Sequence, residues 1–306
     1  MMTERRYLIY DVFTDVALSG NPLAVVLDAE GLDTERMQVI AGEFNLSETV
    51  FVLPPENPLH TARLRIFTPK LELPFAGHPT VGTAIALAED PGRLAGDDGT
   101  LIMLEEKVGD VRCVVSQGEG ASFAEFDLPR LSQSLEFDVP QEMIAAALGL
   151  GPHEIGFENH RPALRSAGVP YVTVPVATLA AAGKARLDQK LWSAFAPTID
   201  GVPADAYVYC RETVNHDCHF HARMFAPKSG IPEDPATGSA AAAFSGAVVA
   251  FDAPPDGPHV VWIEQGIEMG RPSRIRLEME IAGGVAVSAR IGGHAVKVAE
   301  GRLSID

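Results

Sequence analysis

The chain has 306 residues, 46% of them apolar, and a formal net charge of −17; this length suits two domains of ordinary size with packed cores. Such an excess of acid argues against nucleic acid and against an anionic membrane surface as partners, because both select for basic patches. Cys113, Cys210 and Cys218 show neither a paired framework nor zinc-ligand spacing, so reduced, partly buried thiols and no metal site are expected. The opening residues MMTERRYLIYDVF read as an entering strand rather than a secretory signal, and no stretch approaches transmembrane length. A cytoplasmic location is the expectation.

Tyr7 to Phe13 and Leu23 to Leu27 read as strands around the turn Ser19-Gly20-Asn21-Pro22. Residues 33–44 place Met37, Ile40, Ala41 and Phe44 at helical spacing, with Asp33 or Thr34 as cap. A strand follows from Thr49 to Leu53. Residues 61–67 alternate Arg with apolar side chains, the period of a half-buried strand, and a turn then feeds a helix start near Gly77. Gly99 to Glu105, Val111 to Ser116 and Phe123 to Leu128 are three further strands. The polar, Pro-bearing stretch 129–140 reads as a linker. Beyond it a helix is expected from Gln141 to Leu150, a strand from Tyr171 to Val176, and a helix from Ala177 to Phe195 interrupted at Gly183. Ala206 to Cys210 and Cys218 to Phe225 read as strands, and an alanine-rich helix spans 237–250, small on several faces and therefore suited to close burial. Strands at 259–265, 274–281, 285–291 and 295–305 complete the order.

Two segments of this chain echo one another. Residues 65–84 (RIFTPKLELPFAGHPTVGTA) and 223–242 (RMFAPKSGIPEDPATGSAAA) agree at six of twenty positions at an offset of 158. Each copy reads as strand, turn and helix start. The first amides of a helix are unpaired and carry partial positive charge, so the two starts are two potential anion cradles. The chain is expected to be an internal duplication.

Three segments carry candidate chemistry: NLSETVF (45–51), PFAGHPTVG (74–82) and PEDPATGSAA (232–241). Taken singly, Glu48 reads as a solvated loop glutamate, His78 as a core-edge or capping histidine, and Asp234 as a helix-start carboxylate. The sharper alternatives are a general base for Glu48 and a ligand-facing imidazole for His78. Thr237, Gly238 and Ser239 offer hydroxyls and amides at one helix start. The phosphate-loop pattern GxxxxGK[ST] and the nucleophile pattern GxSxG are both missing around them.

Together these segments resemble the phenazine biosynthesis PhzF-like family, whose fold is that of diaminopimelate epimerase. The resemblance spans nearly the whole chain, through Ser19-Gly20-Asn21-Pro22, Ser47-Glu48-Thr49, Gly77-His78-Pro79-Thr80, Glu233-Asp234-Pro235-Ala236-Thr237-Gly238-Ser239, Gln265-Gly266 and Met269-Gly270-Arg271-Pro272-Ser273. It implies an α+β architecture of two similar, pseudo-two-fold related domains. Each is a mixed sheet wrapped around a central helix, and the active site lies in the interdomain cleft. The expected domains are 1–129, completed by a returning strand 293–306, and 130–292.

The resemblance also implies a cofactor-independent isomerase acting on a small substrate that carries a carboxylate; in the phenazine-pathway member the reaction moves one hydrogen within the ring of 2,3-dihydro-3-hydroxyanthranilate. Glu48, Asp234 and His78 take the catalytic roles, and Ser239, Gly77, Thr237 and Gly238 bind the substrate. Family precedent gives a homodimer. The related epimerases use two thiols, but the aligned positions here are Ala76 and Thr237, neither of which can act as a base. Two other readings stay open, an epimerase or racemase using carboxylates in place of thiols and a non-catalytic small-molecule binding protein.

Overall fold

The computed structural model describes residues 3–90, 99–117, 120–229 and 231–305. Gly230, in the second copy of the repeat, lies outside the described residues. The chain forms two compact units, Met1–Pro129 with Gly292–Asp306, and Arg130–Ile291.

The first unit runs β1 (Thr3–Val12), β2 (Asn21–Val26), α1 (Thr34–Phe44), β3 (Glu48–Leu53), β4 (Ala62–Phe67), β5 (Glu72–Leu73), α2 (Gly77–Glu89), β6 (Thr100–Glu106), β7 (Gly109–Ser116) and β8 (Phe123–Asp127). Asp33 caps α1 by accepting from the Arg36 amide at 2.8 Å. The buried face of this helix, Met37, Ile40 and Ala41, packs with Phe51 and Phe67 of the sheet. The second unit runs β9 (Gln133–Leu135), α3 (Gln141–Ala147), β10 (Ala163–Ser166), β11 (Pro170–Pro175), α4 (Leu179–Lys184), α5 (Gln189–Ser193), β12 (Thr198–Ile199), β13 (Val202–Pro203), β14 (Asp205–Cys210), β15 (Phe220–Ala226), β16 (Ile231–Asp234), α6 (Gly238–Asp252), β17 (Gly257–Gln265) and β18 (Ser273–Ala282). The last strand, β19 (Val285–Ile305), begins in the second unit and ends in the first, where it pairs antiparallel with β1 from Thr3↔Ile305 to Val12↔Ala295.

One pairing scheme occurs in both units. β2 and β3 pair in parallel, as do β11 and β14. β4 lies antiparallel to β3 and parallel to β6, just as β15 lies antiparallel to β14 and parallel to β17. Side chains repeat as well. Arg65 forms a two-pronged ion pair with Glu72 and stacks over Phe67, while Arg223 does the same with Glu233 and Phe225. Glu105 accepts from the amides of Glu56 and Asn57, and Glu264 from those of Val214 and Asn215.

These matches correct the register of the repeat. Arg65 matches Arg223 at an offset of 158, but Glu72 matches Glu233 at 161. The second copy therefore holds three more residues between strand and helix, and Gly77 corresponds to Gly238, the first residue of the other central helix. Pro74 and Pro232, identical in the ungapped comparison, are not equivalent.

Each unit buries one helix within its own strands. Residues Gly77 to Ala88 of α2 are all buried, against β1, β2, β3, β6, β7 and β8. Small residues permit that approach. A Cβ on Gly82 would lie 2.6 Å from Val12 Cγ2 and 2.7 Å from Leu23 Cδ2, well inside van der Waals contact. The alanine-rich α6 is similarly enclosed by β9, β10, β11 and β18.

Several expectations need correction. The linker 129–140 contains β9, which pairs with β10. The helix expected over 177–195 divides into α4 and α5, and Gly183 lies inside α4. The break falls where Asp188 accepts from Lys190 and Leu191 to start α5. The strands expected at 285–291 and 295–305 form one continuous strand of 21 residues.

The repeated ion pair sits in unequal surroundings, since the Arg223 side chain is 2% exposed and that of Arg65 22%. Arg223 also donates to the carbonyls of Ala182 and Ala185 at the end of α4. Arg223→Met is expected to cost about 3–5 kcal/mol, because it leaves a half-buried carboxylate and the carbonyls of two buried residues without their cation. Arg65→Met is expected to cost about 1 kcal/mol or less. Denaturant midpoints of the two variants measure the difference, and equal losses would contradict it.

Candidate active site

In the first unit β2 and β3 place Leu23 opposite Glu48, and α2 delivers His78 one residue into its first turn. The Glu48 and His78 side chains are both buried, with Glu48 Oε2 3.4 Å from His78 Nε2. His78 Nδ1 lies 3.2 Å from Asn21 Nδ2. An amide nitrogen can only donate, so Nδ1 accepts and the proton of the neutral ring sits on Nε2, facing Glu48. Burial holds the imidazole far below its ordinary range, at about 3. The contact is therefore between a carboxyl group and a neutral ring.

Asn21 follows a tightly built turn. Phe13 and Leu18 adopt φ of 64° and 66°, and Gly20 adopts φ of 66°. A Cβ on Gly20 would lie 2.4 Å from the Val12 carbonyl oxygen, so this position admits only glycine. Phe13 is a buried, bulky side chain held in the left-handed region, a costly backbone state that concentrates at functional sites.

α2 and α6 start at equivalent residues, Ala76 and Thr237 being their N-caps, and neither receives a side-chain cap. The first intrahelical bonds are Thr80 N to Ala76 O and Ala241 N to Thr237 O. The earlier amides, including those of Gly77, Gly238 and Ser239, have no intrahelical acceptor. Each start is braced by the neighbouring strand. Gln265 Nε2 donates to the Asp234 carbonyl at 2.8 Å and to Thr237 Oγ1 at 3.1 Å, and Thr237 Oγ1 donates to Asp234 Oδ2 at 2.5 Å. In the first unit Thr80 Oγ1 lies 2.8 Å from the Ala76 carbonyl and 2.7 Å from Glu106 Oε1.

The second unit thus brings Asp234, Thr237 and Gln265 together, with Ser239 Oγ 2.8 Å from Tyr171 Oη. Gly266, at φ of 78°, lets the following loop close on Pro235; a Cβ there would lie 2.5 Å from the carbonyl oxygens of both Pro235 and Arg271. The Gln265-Gly266 and Met269–Ser273 segments consequently support the Asp234 turn.

Asn21, Tyr171, Glu106 and Gln265 were not singled out as site residues from the sequence. Asn21 and Gln265 stood inside quoted motifs, whereas Tyr171 and Glu106 look like ordinary strand residues. The three cysteines are buried, and burial raises each thiol above its usual range, Cys210 to about 12. A separate cluster of Glu158, His160 and Asp252 has metal-like spacing, but Arg211 donates to Glu158 and Asp252, and His160 Nε2 lies 3.0 Å from Asp252 Oδ1. Among the described residues no helix is long and apolar enough to cross a membrane.

The sequence profile of the phenazine biosynthesis-like protein family matches residues 10–301. A Mesorhizobium japonicum protein described as an uncharacterized isomerase is 64% identical, over 99% of this chain and 100% of its own. The trans-2,3-dihydro-3-hydroxyanthranilate isomerase of Pseudomonas aeruginosa is 36% identical, over 97% of this chain and 98% of its own. The crystal structure of a Bacillus anthracis phenazine biosynthesis protein of the PhzF family superposes with a TM-score of 0.88 at 29% identity, covering 99% of this chain and 100% of that one.

The buried pair makes a spectroscopic prediction. His78 is expected to keep its Nε2–H tautomer and not to titrate between about pH 5 and 8. Nitrogen-15 NMR of labelled histidine, with His78→Gln to assign the signal, checks this. A midpoint near the ordinary histidine value would contradict it.

Proposed function

The chain belongs to the phenazine biosynthesis-like family of isomerases, and we propose that Glu48 is the carboxylate that moves a proton between carbons of its small, carboxylate-bearing substrate. The observation carrying this reading is the buried Glu48–His78 contact, with the far ring nitrogen tied to Asn21. Glu48 takes a proton from a saturated carbon, the electron pair of the broken C–H bond enters the adjacent π system, and the resulting carboxylic acid returns the proton to a different carbon. The neutral His78 ring presents its Nε2–H to Glu48 and orients that carboxyl group. With Nδ1 accepting from Asn21 and the ring proton on Nε2, His78 has no free lone pair facing Glu48 and is not the base.

The unpaired first amides of α2, beginning at Gly77, suit a substrate carboxylate or the negative charge that develops after proton removal. Asp234 is assigned a catalytic, assisting role, with its carboxyl oriented by Thr237. Thr237, Gly238 and Ser239 are assigned to holding further polar groups of the substrate. The balance of bonds and electrons in this isomerisation is closed by proton transfer alone.

The first compound to test is trans-2,3-dihydro-3-hydroxyanthranilate, after the activity named for the Pseudomonas aeruginosa relative. Glu48→Gln is expected to fold and to lose about 10²–10⁴-fold in turnover, the usual scale of general acid–base catalysis. Proton NMR in D₂O follows both consumption and the carbon that acquires label. Full turnover by the variant would remove Glu48 from the mechanism, and label returning to the original carbon with inversion would make the reaction an epimerisation.

A further inference from the structure

Glu106 closes the start of α2 from below. It is 8% exposed, ends β6, and its Oε1 lies 2.7 Å from Thr80 Oγ1. The same hydroxyl lies 2.8 Å from the Ala76 carbonyl oxygen. A hydroxyl has one proton, and a carbonyl oxygen can only accept. If Thr80 gives its proton to Ala76, the remaining contact is satisfied only by a proton on Glu106. Glu106 Oε2 is buried without a hydrogen-bond partner, a tolerable state for a neutral carbonyl and a costly one for half of a carboxylate.

The other half of the chain supports the same conclusion. β4 pairs Arg63 with Glu105, and β15 pairs His221 with Glu264. Glu105 and Glu264 hold equivalent loops, so the next residues, Glu106 and Gln265, occupy equivalent places. Gln265 braces the start of α6 through an amide that both donates and accepts. A protonated glutamic acid offers the same two functions on nearly the same frame, whereas a glutamate only accepts.

We propose that Glu106 is a neutral carboxylic acid that, through Thr80, fixes the Ala76–Gly77 peptide and so aims the Gly77 amide at the substrate. It is a positioning residue, and its effect on substrate rests on the function proposed above. Its protonation does not.

Burial raises the Glu106 carboxyl to about 8 against the lowering effect of the Thr80 contact. The charged and titratable groups around it are accounted for on each neighbouring element. On α2, His78 is neutral. On β7, Cys113 is buried with its thiol raised, first by burial and then by Glu106 itself and by Asp127 of β8, with Arg112 opposing. Arg112 pairs with Asp127 at 3.0 Å. Beside Glu106 along the chain, Glu105 serves its loop and His60, and Lys107 pairs with Glu72. On β4, Arg63 pairs with Glu56 and Arg65 with Glu72. As pH rises through about 8, Glu106 gives up the proton that the network needs.

The experiment compares the full chain with Glu106→Gln and Glu106→Leu. Infrared difference spectra are expected to show a protonated-carboxyl carbonyl band in the parent protein that bleaches as pH rises through about 8 and is missing from Glu106→Gln. With trans-2,3-dihydro-3-hydroxyanthranilate as probe, the parent KM is expected to rise about tenfold over the same range, the scale of one hydrogen bond. Glu106→Gln flattens that profile, and Glu106→Leu raises KM at every pH. A band shared equally by parent and Glu106→Gln, or no band in the parent, overturns the protonation. A band of the expected behaviour with an unchanged KM profile overturns the positioning role. If the probe is not turned over at all, the infrared result still decides the protonation while the proposed function fails separately.

Discussion

A helix buried among its own strands leaves little water to answer the polar groups of its first turn. α2 and α6 are both of this kind, and neither is capped by a side chain at its first position. The carbonyls and hydroxyls of their starts are answered instead by the strands beside them, through Glu106 in one unit and Gln265 in the other. The polar residues that catalysis can use are therefore gathered where burial of the helix already demands them. Glu48 joins them because β3 runs parallel to β2 beside the same helix start.

The repeated pairing scheme carries unequal occupants in matching places. Ala76 answers to Thr237 and His78 to Ser239. Leu73 answers to Asp234, each pairing with the matching strand residue, Ile66 or Met224. The three extra residues before α6 belong to the segment that carries Asp234. One unit holds an imidazole beside a carboxyl group, and the other a carboxyl group set beside the Thr237 hydroxyl.

Much of this was legible in the sequence because local signals were strong. Alternating arginines marked β4, the spacing of Met37, Ile40 and Ala41 marked α1, and the small residues of α6 marked a buried helix. The segments around Glu48, His78 and Asp234 were likewise visible as unusual clusters. What stayed hidden depends on distant partners. β10 and β16 have four residues each, too few for a period to register. β19 passes unbroken through Gly292 and Gly293 because its neighbours supply the ladder that glycine lacks the propensity to specify. Glu106 reads as one more charged residue at a strand end. Only its placement over Thr80 distinguishes it from the half-buried Glu105 beside it in sequence, which holds the loop at Glu56 and Asn57.

The close packing around α2 and α6 also limits how this scaffold can diverge. Gly82 has no room for even a methyl group against Val12 and Leu23, and the neighbouring positions of α2 are buried to Ala88. Selectivity for a different substrate cannot be written into the buried middle of α2 without displacing strands. It has to be written in strand ends and turns, where side chains can lengthen. A mutagenesis library aimed at new substrates should therefore hold the buried stretches of both helices constant and vary those ends.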